Sequence, residues 1–233
     1  MKSKSILGTV LASAAMLASA SAATLKVDFN DKDTETTQTG WEAFSSTTDP
    51  NNKTETYSGY DDLAGVGNSV SVASAGIEYS RDAGVPNPTS GLDDMYRDLI
   101  FRNDATVSIT LTISGLLAGD YNIRTYHHVE NAGGGSNRTS FDIAVQDADS
   151  PAFGQFVGNV TMGGEGTPVD SGLFTVNSNG SDDIVLRFTA TNIPGGGGQD
   201  WWGVNGMTIV PEPGSLALLG LGCLGLLARR RRA

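Results

Sequence analysis

The strongest constraint on the fold is a regular alternation of apolar and polar residues. In segment 106–114, Val107, Ile109, Leu111 and Ile113 recur at every second position, which places their side chains on one face of an extended strand. Further segments with strand character lie at residues 25–29, 70–72, 77–79, 95–101, 121–125, 141–145, 153–160, 172–176, 184–188 and 204–209. Glycine, asparagine and serine fill the gaps between them. The pattern predicts an all-β domain, a β-sandwich of the jelly-roll type.

The N-terminus has the organisation of a secretory signal peptide. Lys2 and Lys4 form a basic start, an apolar segment covers residues 6–17, and Ala20-Ser21-Ala22 fits the small-residue cleavage pattern. We expect residues 1–22 to be removed, so that the mature chain begins near Ala23 and residues 23–209 form the β-sandwich domain.

The C-terminus, residues 210–233, combines Pro211-Glu212-Pro213 with an apolar run at residues 214–228. Four consecutive arginines follow the run: Arg229, Arg230, Arg231 and Arg232. As a helix, a run of about 15 residues spans roughly 22 Å, which is less than the ~30 Å core of a bilayer. A basic cluster of this kind stays on the cytoplasmic side. The segment therefore predicts a short hydrophobic helix that inserts transiently in the membrane and presents the Pro-Glu-Pro triplet outside, where a protease can remove the tail.

These three features, in this order over residues 210–233, resemble the PEP-CTERM protein-sorting signal. The resemblance implies processing by a membrane protease of the exosortase type. It also implies a Gram-negative bacterium that makes exopolysaccharide, and delivery of the protein to the outer surface or the extracellular matrix.

Charge and cysteine content narrow the function further. The two end segments hold six of the 15 basic residues and one of the 26 acidic residues, which leaves the domain nine basic and 25 acidic residues, a net charge of −16. Such a surface repels phosphate backbones, which argues against nucleic-acid binding. Cys223 is the only cysteine and lies in the tail, so the processed domain has no disulfide, thiol nucleophile or cysteine-bound metal.

Three segments of the domain resemble galactose-binding-like jelly rolls, which include malectin-like and carbohydrate-binding modules. They are the opening strand Leu25–Phe29, the hairpin Ser108–Ile123 and the closing strand Val204–Ile209. The resemblance implies a polysaccharide ligand, but no sugar-contacting residue of the family has a counterpart here.

Two pairs of adjacent residues are candidate ligand contacts. Trp201 and Trp202 should point to opposite faces of a strand, and the exposed one, beside Gln199 and Asp200, would form a stacking platform for a sugar; the alternative is packing under the glycine loop 195–198. His127 and His128 should also diverge at the end of a strand, next to a glycine loop. The alternative there is one packed and one solvated histidine.

Calcium is the only cofactor that the sequence suggests. Asp31, Asp33, Glu35 and Glu42 match the acidic positions one, three, five and twelve of a calcium-binding loop, but Thr36 replaces the turn glycine and no flanking helices are predicted. This argues against an EF-hand and leaves a looser calcium site or a solvated acidic loop.

Enzyme signatures are missing from the sequence, including G-x-S-x-G, H-E-x-x-H and the P-loop lysine. We therefore expect a non-enzymatic surface or matrix protein that binds polysaccharide. Two alternatives remain: a purely structural biofilm-matrix protein without a specific ligand, and a glycan-active hydrolase whose carboxylates converge only in the fold.

Overall fold

The computed structural model describes residues 23–30, 37–44, 51–82, 91–102, 107–128, 140–161, 167–192 and 202–212. The predicted signal peptide and the predicted C-terminal helix lie outside these residues. Within the described part of the chain, no helix is long and apolar enough to cross a membrane.

Fifteen strands and two short helices are described, and β-structure predominates among them. The elements are β1 (Leu25–Phe29), β2 (Glu42–Phe44), β3 (Thr54–Ser58), α1 (Asp61–Ala64), β4 (Ser69–Ala75), β5 (Tyr79–Asp82), α2 (Asp93–Arg97), β6 (Asp98–Arg102), β7 (Ile109–Ser114), β8 (Gly119–His127), β9 (Ser140–Gln146), β10 (Gln155–Thr161), β11 (Val169–Asp170), β12 (Phe174–Ser178), β13 (Ile184–Asn192), β14 (Trp202–Val204) and β15 (Gly206–Pro211).

Two large sheets form the sandwich. The first, sheet A, has the strand order β11-β8-β15-β1-β2, and β12 also pairs with β8. The last strand of the domain, β15, lies between β1 and β8, and Ile209 faces Leu25 on one side and Ile123 on the other. The second, sheet B, has the order β10-β9-β13-β7-β4-β3 and all its pairs are antiparallel. A small third sheet, β14-β6-β5, completes the domain.

The core lies between the inner faces of the sheets, where the alternating apolar residues meet. Ile109, Leu111 and Ile113 are buried, as the period-two pattern predicts. The largest fully buried side chains include Trp202, Phe29, Phe44, Phe141 and Phe188. Removal of this apolar surface from water supplies most of the stabilisation of the fold. The β-sandwich prediction is confirmed.

The hairpin between β7 and β8 depends on a glycine, as its turn sequence suggests. Gly115 has a φ of 82° and a Cβ there would lie 2.5 Å from the carbonyl oxygen of Ser69. Both the positive φ and the close backbone approach require a residue without a side chain.

One predicted segment is wrong in part. The sequence predicts a strand over residues 95–101, but residues 93–97 form α2, and the strand begins only at Asp98. The helix contributes the buried residues Met95 and Tyr96, and the strand contributes the buried residues Leu99, Ile100 and Phe101. A continuous apolar run carries no period that separates the two structures.

Candidate functional site

The first three residues of the sorting motif, Val210, Pro211 and Glu212, are part of the folded domain. Pro211 is the last residue of β15 and lies opposite Tyr121. The N–H of Glu212 donates to the carbonyl oxygen of Asp120 at 2.9 Å, and Thr175 Oγ1 donates to Glu212 Oε1 at 3.2 Å. No linker therefore separates the sandwich from the motif.

The rest of the motif, from residue 213 onward, lies outside the described residues. This part comprises Pro213, the apolar run and the four arginines Arg229, Arg230, Arg231 and Arg232. The orientation that the arginines impose on a helix in the membrane therefore stays a prediction from the sequence.

Both ends of the mature domain leave the sandwich at the same end. Since β1 and β15 are antiparallel and Leu25 pairs with Ile209, β1 begins where β15 ends. The backbone nitrogen of Ala23 lies 3.2 Å from Asp62 Oδ2. Cleavage after Ala22, as predicted, would turn this nitrogen into an α-ammonium group facing a carboxylate.

Trp202 lies in the core and not on the surface. It is fully buried on β14, and its ring stacks on Phe141 with 5.8 Å between the centroids. Its Nε1 has no hydrogen-bond partner within the described residues. Trp201, Asp200 and Gln199 lie outside the described residues, so the sugar platform stays a prediction that now concerns Trp201.

His127 is a buried, neutral histidine. Its Nε2 lies 2.8 Å from Thr125 Oγ1 and its Nδ1 lies 2.7 Å from the carbonyl oxygen of Gly203. Since a carbonyl oxygen only accepts, Nδ1 carries the proton. Burial lowers the pKa of His127 to about 4, against the smaller raising effect of the Gly203 bond. The ring also packs edge-on against Phe141, which makes it part of the core.

His128 is also buried, so neither histidine is solvated, contrary to the alternative of one packed and one exposed ring. Its side chain lies on the other face of sheet A, where Nδ1 is 2.9 Å from the carbonyl oxygen of Tyr96. The divergence that strand geometry predicts is present, but both rings face protein. The described positions leave no surface on which these two histidines contact a ligand.

Asn205 links this buried region together. Its Oδ1 accepts the N–H of His128 at 2.6 Å, and its Nδ2 donates to the carbonyl oxygens of Tyr96 at 3.0 Å and Asp98 at 2.6 Å. One amide therefore holds the end of β8 against the junction of α2 and β6. Sequence reasoning did not identify Asn205, because the sequence predicts one strand over residues 204–209, in which a polar residue between apolar ones is expected to face solvent.

Asp28 is a buried carboxyl on the same side of sheet A. Its Oδ2 accepts the backbone N–H of Gln38 at 2.6 Å. Burial raises the pKa of Asp28 to about 7; the charges of Asp98 and Asp94 add to the rise, and the Gln38 bond opposes it. In its strand, Asp28 occupies a position that alternation assigns to solvent, and the sequence does not indicate its contact with Gln38.

The predicted calcium ligands Asp31, Asp33 and Glu35 lie outside the described residues. Among the residues that the structure does describe, no group of three histidine, cysteine, aspartate or glutamate side chains could hold a metal ion. Glu42, the fourth acidic residue of the pattern, instead accepts a hydrogen bond from the Tyr60 hydroxyl at 2.7 Å. Calcium binding stays a prediction.

Comparison with known families identifies the tail. Residues 210–232 match the PEP-CTERM protein-sorting motif, which confirms that part of the resemblance seen in the sequence. The motif implies export and surface sorting in bacteria, and it is a substrate signal for exosortase processing. No curated protein matches the chain.

Solved structures with a similar arrangement of strands are distant. A β-glucuronidase from Bacteroides uniformis matches over 81% of this chain and 18% of its own, with 14% identity and a TM-score of 0.46. The ANX2 ectodomain from Arabidopsis thaliana matches over 59% of this chain and 40% of its own, with 15% identity and a TM-score of 0.39. A family 35 carbohydrate binding module from Clostridium thermocellum matches over 67% of this chain and 97% of its own, with 16% identity and a TM-score of 0.35. At these TM-scores the likeness does not identify a function.

Proposed function

We propose that this exported chain is a protein of the outer surface or extracellular matrix of a Gram-negative bacterium, that it binds polysaccharide there, and that it has no catalytic role. The observation that carries the proposal is the direct continuation of β15 into the sorting motif. Because Pro211 and Glu212 belong to the folded domain, delivery of the tail to a surface protease delivers the sandwich with it.

Polysaccharide binding is supported by the outer face of sheet B, whose outward side chains are partly exposed and rich in hydroxyl groups. Thr56 and Ser71 share a hydrogen bond of 3.0 Å, and Ser108 and Thr189 share one of 2.8 Å. Threonine and serine also occupy the outward positions of β7. Hydroxyl side chains both donate and accept hydrogen bonds, so they match the donors and acceptors of sugar hydroxyls.

The sorting part of the proposal is tested by mass spectrometry of protein extracted from the cell surface. The mature form should lack residues beyond about Pro213, so peptides from Leu216 to Ala228 should be absent, whereas they should be present in a strain without the processing protease. Recovery of the intact tail on surface protein from the parent strain would contradict the assignment.

The binding part is tested by retardation of the mature protein in gels that contain soluble polysaccharide. Retardation by at least one polymer is expected, without release of reducing ends during incubation. Migration unaffected by every polymer would favour the purely structural matrix protein, and release of reducing ends would favour the hydrolase.

A further inference from the structure

Phe156 is an exposed aromatic residue on the edge of sheet B. It retains 60% of its accessible surface although it lies within a strand. The pairing of β10 with β9 is irregular between Phe156 and Gly158, and such bulges change the direction of side chains at sheet edges. Phe156 pairs with Ala144, which pairs in turn with Arg187.

Arg187 is held over a second aromatic ring. Its guanidinium carbon lies 4.0 Å from the centroid of the Phe153 ring, a close cation–π contact. Phe153 has a φ of 55°, a left-handed backbone that a bulky residue rarely adopts. Such conformations persist where the surroundings fix them, and they are frequent at binding sites. No carboxylate of the described residues forms an ion pair with Arg187.

The three paired residues form a shallow site. Phe156 and Arg187 lie on the two strands that flank β9, so about 9.5 Å separates their backbones, at 4.7–4.9 Å per strand. Between them Ala144 contributes only a methyl group. The gap therefore has an aromatic side, a small apolar floor and a guanidinium side.

Polar groups line one edge of this site. Asn159 Nδ2 donates to Asp142 Oδ1 and to Thr191 Oγ1, both at 3.0 Å. Asp142 is the next outward residue of β9 from Ala144, and it pairs with Asn159. Within the described residues, Asp142 Oδ2 and Asn159 Oδ1 accept no hydrogen bond and are open to a ligand.

We propose that this gap binds one pyranose ring of a neutral polysaccharide, an inference that rests on the proposed function and locates its site. The C–H face of the sugar packs on Phe156, whose ring face is electron-rich. The guanidinium of Arg187 donates to ring hydroxyls from a fixed plane, and Asp142 and Asn159 accept from hydroxyls at the adjacent edge.

Charge selects a neutral chain over an acidic one. The domain has a net charge of −16, so a polyanion is repelled as it approaches. At the site itself, the cation of Arg187 is accompanied by the carboxylate of Asp142 on the neighbouring strand. The pair offers donors and acceptors to hydroxyl groups without a net local charge.

The test is affinity gel electrophoresis of the mature surface protein with a neutral β-glucan, galactan and galactomannan, and with polygalacturonate. Phe156→Ala should raise the Kd for the neutral ligand about tenfold, as expected for one aromatic contact, and Arg187→Gln should also raise it.

The control is Leu173→Ala, because Leu173 is equally exposed at 60% but lies beside β12 of sheet A; it should leave the Kd unchanged. Unfolding midpoints should match those of the parent protein, since both aromatic and control positions are exposed.

The outcomes separate the site from the function. Binding of a neutral polymer that survives both Phe156→Ala and Arg187→Gln would overturn the site and leave polysaccharide binding intact, as would binding that only Trp201→Ala abolishes. Equal or tighter binding of polygalacturonate would overturn the choice of a neutral chain. Absence of binding to every polymer by the parent protein would overturn the site and the proposed function together.

Discussion

Replacement of Asp28 by asparagine should change the pH dependence of stability in a defined direction. The carboxyl is buried, and its pKa is raised to about 7 by burial first and by the charges of Asp98 and Asp94 in addition. The unfolded chain has the ordinary value of 3.8. Between these two values the folded state binds one proton that the unfolded state releases. The free energy of unfolding therefore falls as the pH rises from about 4 to about 7.

The size of this effect follows from the pKa difference. A shift from 3.8 to about 7 corresponds to about 4 kcal/mol at 1.36 kcal/mol per unit. Asparagine cannot ionise, and its side-chain oxygen can still accept the N–H of Gln38. The difference in unfolding free energy between Asp28→Asn and the parent protein should therefore move by about 4 kcal/mol in favour of the variant between pH 4 and pH 7.

His127 masks part of this effect in the parent protein. Its pKa is lowered from 6.5 to about 4 by burial, so the unfolded state binds the extra proton in that window and stability rises with pH. The rise is about 3 kcal/mol, nearly equal and opposite to the contribution of Asp28. Considering these two groups, the parent profile should be almost flat from pH 4 to 6.5, and Asp28→Asn should reveal the rise.

The assay is urea unfolding of the mature protein at half-unit intervals from pH 4 to 8, followed by tryptophan fluorescence. Asp149→Asn is the control, because Asp149 is an exposed aspartate and its replacement should shift the profile little. Parallel profiles of Asp28→Asn and the parent protein would refute the reasoning, since they would mean that Asp28 is ionised throughout.

Two further changes test the packing and the docked motif. Gly203→Ala should lower the free energy of unfolding in urea by about 1–3 kcal/mol, because a Cβ there would overlap a backbone carbonyl oxygen of β6 and lie 2.9 Å from Leu99 Cδ1. The control is Gly158→Ala, whose Cβ meets nothing within 4 Å and which should lower it far less. Equal losses in the two variants would argue against the close approach at Gly203. Thr175→Val removes the hydroxyl that lies within hydrogen-bond distance of both Asn122 and Glu212. If the motif must leave the sheet before cleavage, this change should accelerate tail removal in a pulse-chase experiment. An unchanged or slower rate would mean that cleavage does not depend on release of the motif from the sheet.

The fold could be predicted where one side of a strand faces the core and the other faces water. In β7, Ile109, Leu111 and Ile113 alternate with threonine and serine. This pattern predicts both that the segment is a strand and which of its side chains face the core. Where that contrast is lost, the sequence is a poor guide. The run that forms α2 and β6 has buried apolar residues in both elements, so no alternation separates the helix from the strand. In β3, with the sequence TETYS, only Tyr57 is buried, so this strand lacks the apolar alternation.

The sorting motif could be predicted from sequence because linear order defines it. The chemistry of the folded domain could not, because it depends on partners distant in sequence. Asp28 has the pattern of a solvated strand residue, yet Gln38 and the charge of Asp98 determine its state. Phe156 has the pattern of a core residue, yet it lies outside on an edge strand. It pairs with the outward-facing Ala144 beside an irregular register, and neither feature can be recognised from composition or period.

The central place of β15 in sheet A sets an order of events during export. β1 forms its longest pairing with β15, and β15 also joins β1 to β8. Contacts between the two ends of the chain are the slowest to form, because the whole intervening loop must close. Sheet A can therefore close only after Pro211, the last residue of β15, has emerged. The sandwich is thus completed by the strand that leads directly into the sorting motif, so a chain that is truncated before this strand has neither a complete sheet nor a sorting signal.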